Sequence, residues 1–282
     1  MSGRDPRTTL ARPDLAAADM EGVVRAERYA VTAAMACASP VAAVRRTPDP
    51  AAEQMDQLLH GEIFDLLEET GGWAWGQARR DGYVGFVERA SLAPAGPAPT
   101  HRVAALRAYA FTQPSIKSRP VGLYSINAFV TVQAREGRFA QDSAGGWFVE
   151  TQLAPIGEVE TDPAAVAERF VGAAYQWGGR ESLGLDCSGL VQQALLACGR
   201  ACPRDTDQQA AMGAAIGADP LRRGDLVFWR GHVGMMLDEA RLIHANAHHM
   251  AVAIEPLAEA VERIRAAGPG DPTGYRRVIE RP

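Results

Sequence analysis

The amino-acid sequence predicts an α+β fold in which two small β-barrels precede a domain of helices followed by an antiparallel sheet. Three observations lead there. Short β-type runs broken by turn residues fill the first half of the chain. Two blocks of that half share signatures at an offset of 61 residues. After Pro155 helix-start signals appear, and β-type runs follow them.

Residues 1–26 are polar and alanine-rich and read as a helical or irregular leader. A first barrel is expected over 27–97, with strands at 41–44, 62–67, 73–78 and 83–87. The proline-rich joint Leu92-Ala-Pro-Ala-Gly-Pro-Ala-Pro99 interrupts the chain there. A second barrel is expected over 98–158, with strands at 103–109, 122–124, 128–133, 138–141 and 146–149. Gly85-Phe86 recurs as Gly146-Trp147, and Leu92-Ala93-Pro94 recurs as Leu153-Ala154-Pro155. Two small barrels are the simplest architecture for such a repeat.

The third domain is expected over 159–282. Asp162-Pro163 supplies an N-cap and a proline at the first helical position. Val166, Phe170, Val171 and Ala174 then recur at helical spacing. A second helix runs from Cys187 to Cys198 and stops at Gly199. A third, short helix is capped by Asp205 or Thr206 before Gln208-Gln209-Ala-Ala-Met212. Strands are expected at 225–229, 232–237, 241–246 and 252–254.

Composition narrows the function. The 282 residues are 47% hydrophobic and 22% charged, which excludes wholesale disorder. A net charge of -5 gives no electrostatic ground for nucleic acid or an anionic membrane as partner. No apolar run is long enough for a membrane-spanning helix. The four cysteines, Cys37, Cys187, Cys198 and Cys202, do not make a disulfide scaffold and suit thiols in a reducing compartment. Ala34-Met35-Ala36-Cys37 loosely has the form of a lipoprotein cleavage site. Asp5, Asp14, Asp19, Glu21 and Glu27 ahead of it are at odds with the basic lead of an export signal, so a cytoplasmic protein is expected.

One cysteine has the context of a nucleophile. Cys187, in Gly184-Leu-Asp-Cys-Ser-Gly-Leu-Val191, stands where a glycine-containing loop becomes a helix. The helix dipole and unpaired N–H groups there favour thiolate and are expected to draw the thiol pKa down. Those N–H groups are also placed to hold an oxyanion. Cys37, Cys198 and Cys202 have apolar neighbours and no capping context, and they read as core residues.

A thiolate nucleophile needs a histidine partner. If strands 232–237 and 241–246 form a hairpin, Leu237 pairs with Arg241 and His232 lies opposite Asn246. His244 is then a same-face diagonal neighbour of His232. One ring would meet the sulfur, and the other would fix its tautomer. His248 has the same parity if the strand continues, whereas His249 points away. Cys187, His232, His244 and His248 could also supply a zinc tetrahedron, but the paired short spacings of zinc sites are missing, so no metal or other cofactor is expected.

The runs Tyr175-Gln-Trp-Gly-Gly-Arg180, Leu183-Gly-Leu-Asp-Cys-Ser-Gly-Leu190, Pro203-Arg204-Asp205, Arg223-Gly-Asp-Leu-Val-Phe228, Gly231-His232-Val-Gly234 and Ile243-His244-Ala245 together resemble an NlpC-type cysteine peptidase. The resemblance covers roughly 160–255. It implies a papain-like core with Cys187 as nucleophile, His232 as general base and then acid, and His244 as the orienting residue. It also implies that Tyr175 supports the tetrahedral intermediate, against the alternative of an aromatic packing residue.

The β-blocks look like the bacterial SH3-like domains that precede this peptidase type. That layout resembles γ-D-glutamyl-L-diamino acid endopeptidases, which take murein peptides such as L-Ala-γ-D-Glu-diaminopimelate with a free L-alanine. Amine recognition needs carboxylates and a block to longer chains. Asp205, beside Thr206, is the first candidate, or else a helix cap. Glu53 is a second carboxylate, or a solvated charge. Tyr83 closes the pocket, or fills a barrel core. Trimming of imported wall peptides in recycling is the expected role. Two alternatives stay open: a non-catalytic module that binds wall fragments, and an amidase or acyltransferase using the same nucleophile.

Overall fold

The computed structural model describes residues 4–217 and 220–278, which fall into two units, Met1–Ile156 and Gly157–Pro282. The leader is neither helical nor irregular throughout. Its β1 (Leu15–Ala17) pairs in parallel with β2 (Arg28–Ala30). The reason is burial: Leu10, Leu15 and Ala17 pack against Trp75 and Val84 of the following module, removing apolar side chains from water.

The first module contains β3 (Ala33–Cys37), β4 (Val41–Arg45), β5 (Gln54–Leu59), β6 (Ile63–Thr70), β7 (Trp73–Ala78), β8 (Val84–Glu88) and β9 (Leu92–Pro94). The second contains β10 (His101–Val103), β11 (Arg107–Phe111), β12 (Pro120–Ser125), β13 (Phe129–Val130), β14 (Val132–Glu136), β15 (Phe139–Asp142), β16 (Trp147–Val149) and β17 (Leu153–Pro155). The first sheet runs β5-β4-β8-β7-β6-β3-β9, and the second module repeats that order as β12-β11-β16-β15-β14 and β13-β10-β17. A 3-10 turn precedes the last strand in both modules, at Arg89–Ser91 and Glu150–Gln152.

Two expected strands are broken. The run at 128–133 splits at Thr131, whose N–H donates to the side-chain oxygen Asp142 Oδ1 at 2.8 Å instead of to a backbone carbonyl. The run at 103–109 also splits, because Ala104 N–H turns to Gln152 O at 2.9 Å and β10 and β11 enter different sheets. Cys37, Val44, Phe64 and Val87 fill the first core; Val103, Ala110, Val130 and Phe148 fill the second.

The C-terminal unit comprises α1 (Pro163–Glu168), β18 (Ala174–Tyr175), β19 (Gly184–Leu185), α2 (Cys187–Ala197), α3 (Thr206–Gln209), β20 (Ala214–Ile216), β21 (Leu226–Trp229), β22 (His232–Met236), β23 (Arg241–Asn246), β24 (Ala251–Pro256), α4 (Leu257–Ala266) and β25 (Gly274–Arg277). Its sheet order is β19-β18-β24-β23-β22-β21-β25-β20, antiparallel except where β18 meets β19. Asp162 caps α1 by accepting from Ala164 N–H at 3.0 Å, with Pro163 in the first helical position. That helix is shorter than the apolar spacing suggests. Gly172 takes a positive φ of 82° and donates to Val252 O, which turns the chain, leaves Val171 exposed and sends Ala174 into a strand.

In α2 every residue except Leu196 is buried. It packs against α1, β22 and β23, and burial takes in its polar Ser188, Gln192 and Gln193 as well as its apolar residues. Gly199, at φ 71°, ends it. The sequence reading did not foresee α4. Its Leu257, Ala260, Val261 and Ile264 follow i, i+3, i+4, i+7 spacing and pack with Trp229, Met236 and Leu242.

Candidate active site

Cys187 is the first residue of α2, and the chain ahead of it is held by a buried charge pair. Asp186, the N-cap, accepts from Gly189 N–H at 2.8 Å and from Gly178 N–H at 2.9 Å. Arg204 meets the same carboxylate through two nitrogens, at 2.9 and 2.6 Å, and also donates to Ser188 Oγ at 2.9 Å. Such bidentate pairing fixes orientation as well as charge. A Cβ on Gly189 would collide with the carbonyl oxygen of Gly179, so glycine lets the loop close over the helix start. Arg204 lay inside a sequence motif, but nothing in its neighbours marked it as the partner of Asp186.

The sulfur lies 3.8 Å from Thr206 Oγ1 and against the backbone N–H of Val233, the residue after His232. Its pKa is pushed up to about 11, first by burial and then by the Asp186 charge. The Thr206 hydroxyl, the Val233 N–H and the Arg204 charge act the other way and are outweighed. The expected downward shift at a helix start is therefore reversed. A terminus favours thiolate when the sulfur is exposed to solvent, but here the sulfur is buried and its cap is itself an anion.

The histidines meet as the hairpin reading requires. Leu237 N–H bonds Arg241 O at 2.8 Å, and Met235 and Met236 lie opposite Ile243 and Leu242. That register brings His232 Nε2 to 2.8 Å from His244 Nδ1. Burial and the neighbouring His244 and Arg263 hold the His232 pKa down at about 3, with Glu255 pulling upward. Both members of the Cys187–His232 pair thus rest neutral.

Behind them stand two groups that the sequence reading missed. His244 Nε2 lies 2.6 Å from Glu255 Oε1 on β24, and Arg263 of α4 donates to that same oxygen. His244 is fully buried, and burial outweighs Glu255 in lowering its pKa. Glu255 is held at about 2: His244 and Arg263 together overcome its burial. The reserve candidate His248 does not join the site. β23 ends at Asn246, and His248 and His249 sit exposed in the following turn.

Tyr175 pairs with Leu185 across β18 and β19. Burial raises its pKa, and the neighbouring Cys187 and Asp186 add to the rise, so its hydroxyl stays protonated. Asp205 caps α3 in a reciprocal box with Gln208, its N–H donating to Gln208 Oε1 at 3.3 Å. Thr206, one residue on, is the hydroxyl beside the sulfur. In the N-terminal unit Tyr83 is buried in the first core, and Glu53 accepts from Arg46 Nε at 2.8 Å.

Among the described residues, His244, His249 and Glu255 bring three potential metal-ligating atoms within 4.8 Å of one another. A cation there would have to displace the His244–Glu255 bridge and sit beside the Arg263 charge.

Comparison with known proteins places this geometry. Residues 172–266 match the NlpC/P60 family, and residues 44–92 match the bacterial dipeptidyl-peptidase SH3 domain. A γ-D-glutamyl-L-lysine dipeptidyl-peptidase of Bacillus subtilis is 26% identical over 226 residues, covering 73% of this chain and 76% of the relative. A Bacillus cereus protein of the same description is 33% identical over 96 residues, or 31% of this chain and 29% of the relative. A probable endopeptidase of Corynebacterium glutamicum is 35% identical over 103 residues, or 33% of this chain and 49% of the relative. The chain thus matches less than half the length of the last two. A solved NlpC/P60 family protein from Bacillus cereus superimposes with a TM-score of 0.76 at 19% identity, covering 88% of this chain and all of that one, which shows the fold.

Proposed function

From the premise that residues 172–266 are an NlpC/P60 peptidase domain behind a bacterial SH3 domain, we propose that this chain is a cysteine peptidase of murein peptides. The bond cleaved is γ-D-glutamyl–diamino acid, in peptides with a free N-terminal L-alanine. The observation that supports the reading is the Cys187 sulfur at the start of α2 against the backbone N–H of Val233, the residue next to His232, whose ring is bonded to His244. The description of the Bacillus subtilis relative supports the choice of bond.

The Cys187 sulfur attacks the γ-carbonyl carbon as its proton passes to His232. Charge forming on the carbonyl oxygen meets the N–H groups of Cys187 and Ser188, which open α2 ahead of its first internal acceptor, together with the Tyr175 hydroxyl. His232, now imidazolium, protonates the leaving amine of the diamino acid and leaves a thioester. Water then gives its proton to His232 and attacks the thioester, and the released sulfur regains a proton. The first proton transfer starts from a neutral pair and ends in an ion pair. The Thr206 hydroxyl and the Val233 N–H, which favour the sulfur anion, therefore act mainly in the transition state.

Thr206, whose hydroxyl lies 3.8 Å from the sulfur, and Asp205 beside it are the proposed substrate-binding residues. The proposed compartment is the cytoplasm, and the role is recycling of wall peptides. Mass spectrometry of products from L-Ala-γ-D-Glu-L-Lys and its N-acetylated analogue tests the substrate assignment. Release of lysine from the free peptide alone is expected. Equal rates on both would remove amine recognition, and cleavage of neither would remove the substrate.

A further inference from the structure

The geometry points to Glu255 as a positioning residue that decides which nitrogen of His232 faces the sulfur as a base. The inference rests on Cys187 and His232 being the reacting pair. Its carrier is the unbroken line from Arg263 through Glu255 and His244 to His232.

Burial keeps both rings neutral, and a neutral imidazole that bonds through both nitrogens carries one proton, so the line has a direction. At its far end stands a carboxylate, which has only lone pairs to offer. His244 must then carry its proton on Nε2 and donate to Glu255 Oε1 across 2.6 Å. Its Nδ1 is left as a lone pair. His232 must therefore carry its own proton on Nε2 and donate to that Nδ1 across 2.8 Å. The lone pair of His232 is thereby placed on Nδ1, the nitrogen left over for the Cys187 thiol. With the opposite tautomers, His232 would present an N–H to an S–H and could accept nothing.

Arg263 keeps this direction from reversing. A protonated Glu255 would be a donor and would permit the other pattern, but a guanidinium on the same oxygen favours the ionised form. The device is built on two elements. Glu255 lies on β24 beside the His244 strand, and α4 brings Arg263 over by packing Ala260 and Ile264 on the sheet. Among the described residues, the charged and titratable groups around His244 are His232, Glu255, Arg263 and, at the strand end, His249.

The test is nitrogen-15 NMR of the histidine-labelled full chain at neutral pH, which distinguishes the two imidazole tautomers directly and needs no substrate. Protons on Nε2 of both His232 and His244 are expected in the wild-type protein. Glu255→Leu, which removes the acceptor, is expected to release His244 to the Nδ1–H form and to lower kcat on L-Ala-γ-D-Glu-L-Lys by on the order of 10²-fold, the scale of a lost general base. Glu255→Gln retains a carbonyl acceptor and is expected to keep the tautomers and most of kcat. An Nδ1–H form of His244 in the wild-type protein overturns the inference, whether or not a variant folds. Unchanged tautomers and kcat in a folded Glu255→Leu protein overturn it as well. Wild-type protein with these tautomers but no activity on the peptide supports the relay and removes only the substrate assignment.

Discussion

Nε2 of His232 and Nδ1 of His244 lie 2.8 Å apart, on rings whose centroids are 5.0 Å apart and whose planes are inclined by 59°. Twelve residues of chain separate the two, and the β22–β23 hairpin turns that separation into contact. The pair ties His232, the proposed base, to the buried ring of His244, so the placement of the His232 ring follows from strand register. His232→Ala removes the proton acceptor and is expected to lower kcat/KM on the tripeptide by roughly 10²–10⁴-fold. Far-ultraviolet circular dichroism should remain that of the wild type. Loss of less than tenfold would mean that another group takes the proton.

The pH dependence carries a definite sign. The proposed mechanism needs neutral His232, and its pKa is held at about 3 instead of 6.5. The neutral form is full above the lowered value and is lost only as pH falls through it. The acid limb of kcat/KM is therefore expected well below pH 6.5, with little loss between pH 7 and pH 5.5. A half-loss centred at 6.5 would show a wetted imidazole of ordinary basicity.

Arg204→Ala leaves the Asp186 carboxylate buried without its cation. Removing one partner of a buried pair costs about 3–5 kcal/mol. The melting temperature is expected to fall steeply and activity with it, since Asp186 also holds Gly178 and Gly189 around Cys187, the proposed nucleophile. A melting temperature equal to that of the wild type would show that the pair holds nothing in place.

Thr206→Val keeps the volume of the side chain and removes the hydroxyl that lies 3.8 Å from the sulfur. The developing thiolate loses one donor, about 1 kcal/mol, which is a roughly fivefold fall in kcat/KM with melting unchanged. An unaltered rate would assign Thr206 to the α3 start alone.

Much of the site was legible because two simple periodicities placed it. Asp186 before an apolar run marked the start of α2 and put Cys187 in its first turn. Strand alternation then put His232 and His244 on one face. What escaped depended on contacts distant in the chain. Glu255 reaches His244 only through the β23–β24 register, in which His244 faces Ala253. The intervening turn carries Met250 at a φ of 51°, a conformation that methionine does not announce. The spacing of Leu257, Ala260, Val261 and Ile264 was a readable helix signal and would have brought Arg263 into view. The direction of the Cys187 shift was not readable at all, because burial outweighed the helix terminus. Among the N-terminal strands, the repeat at 61 residues aligned Leu92–Pro94 with Leu153–Pro155 without marking either as the strand it forms, β9 and β17, while the break at Thr131 hung on one side-chain acceptor, Asp142.

The most direct measurement is turnover of L-Ala-γ-D-Glu-L-Lys by Cys187→Ala beside the wild-type chain, with products weighed by mass spectrometry and folding checked by melting. Wild-type protein should release lysine, and the variant should melt normally and release none above the no-enzyme control. Lysine release by the folded variant at a rate near that of the wild type would contradict covalent catalysis through this sulfur.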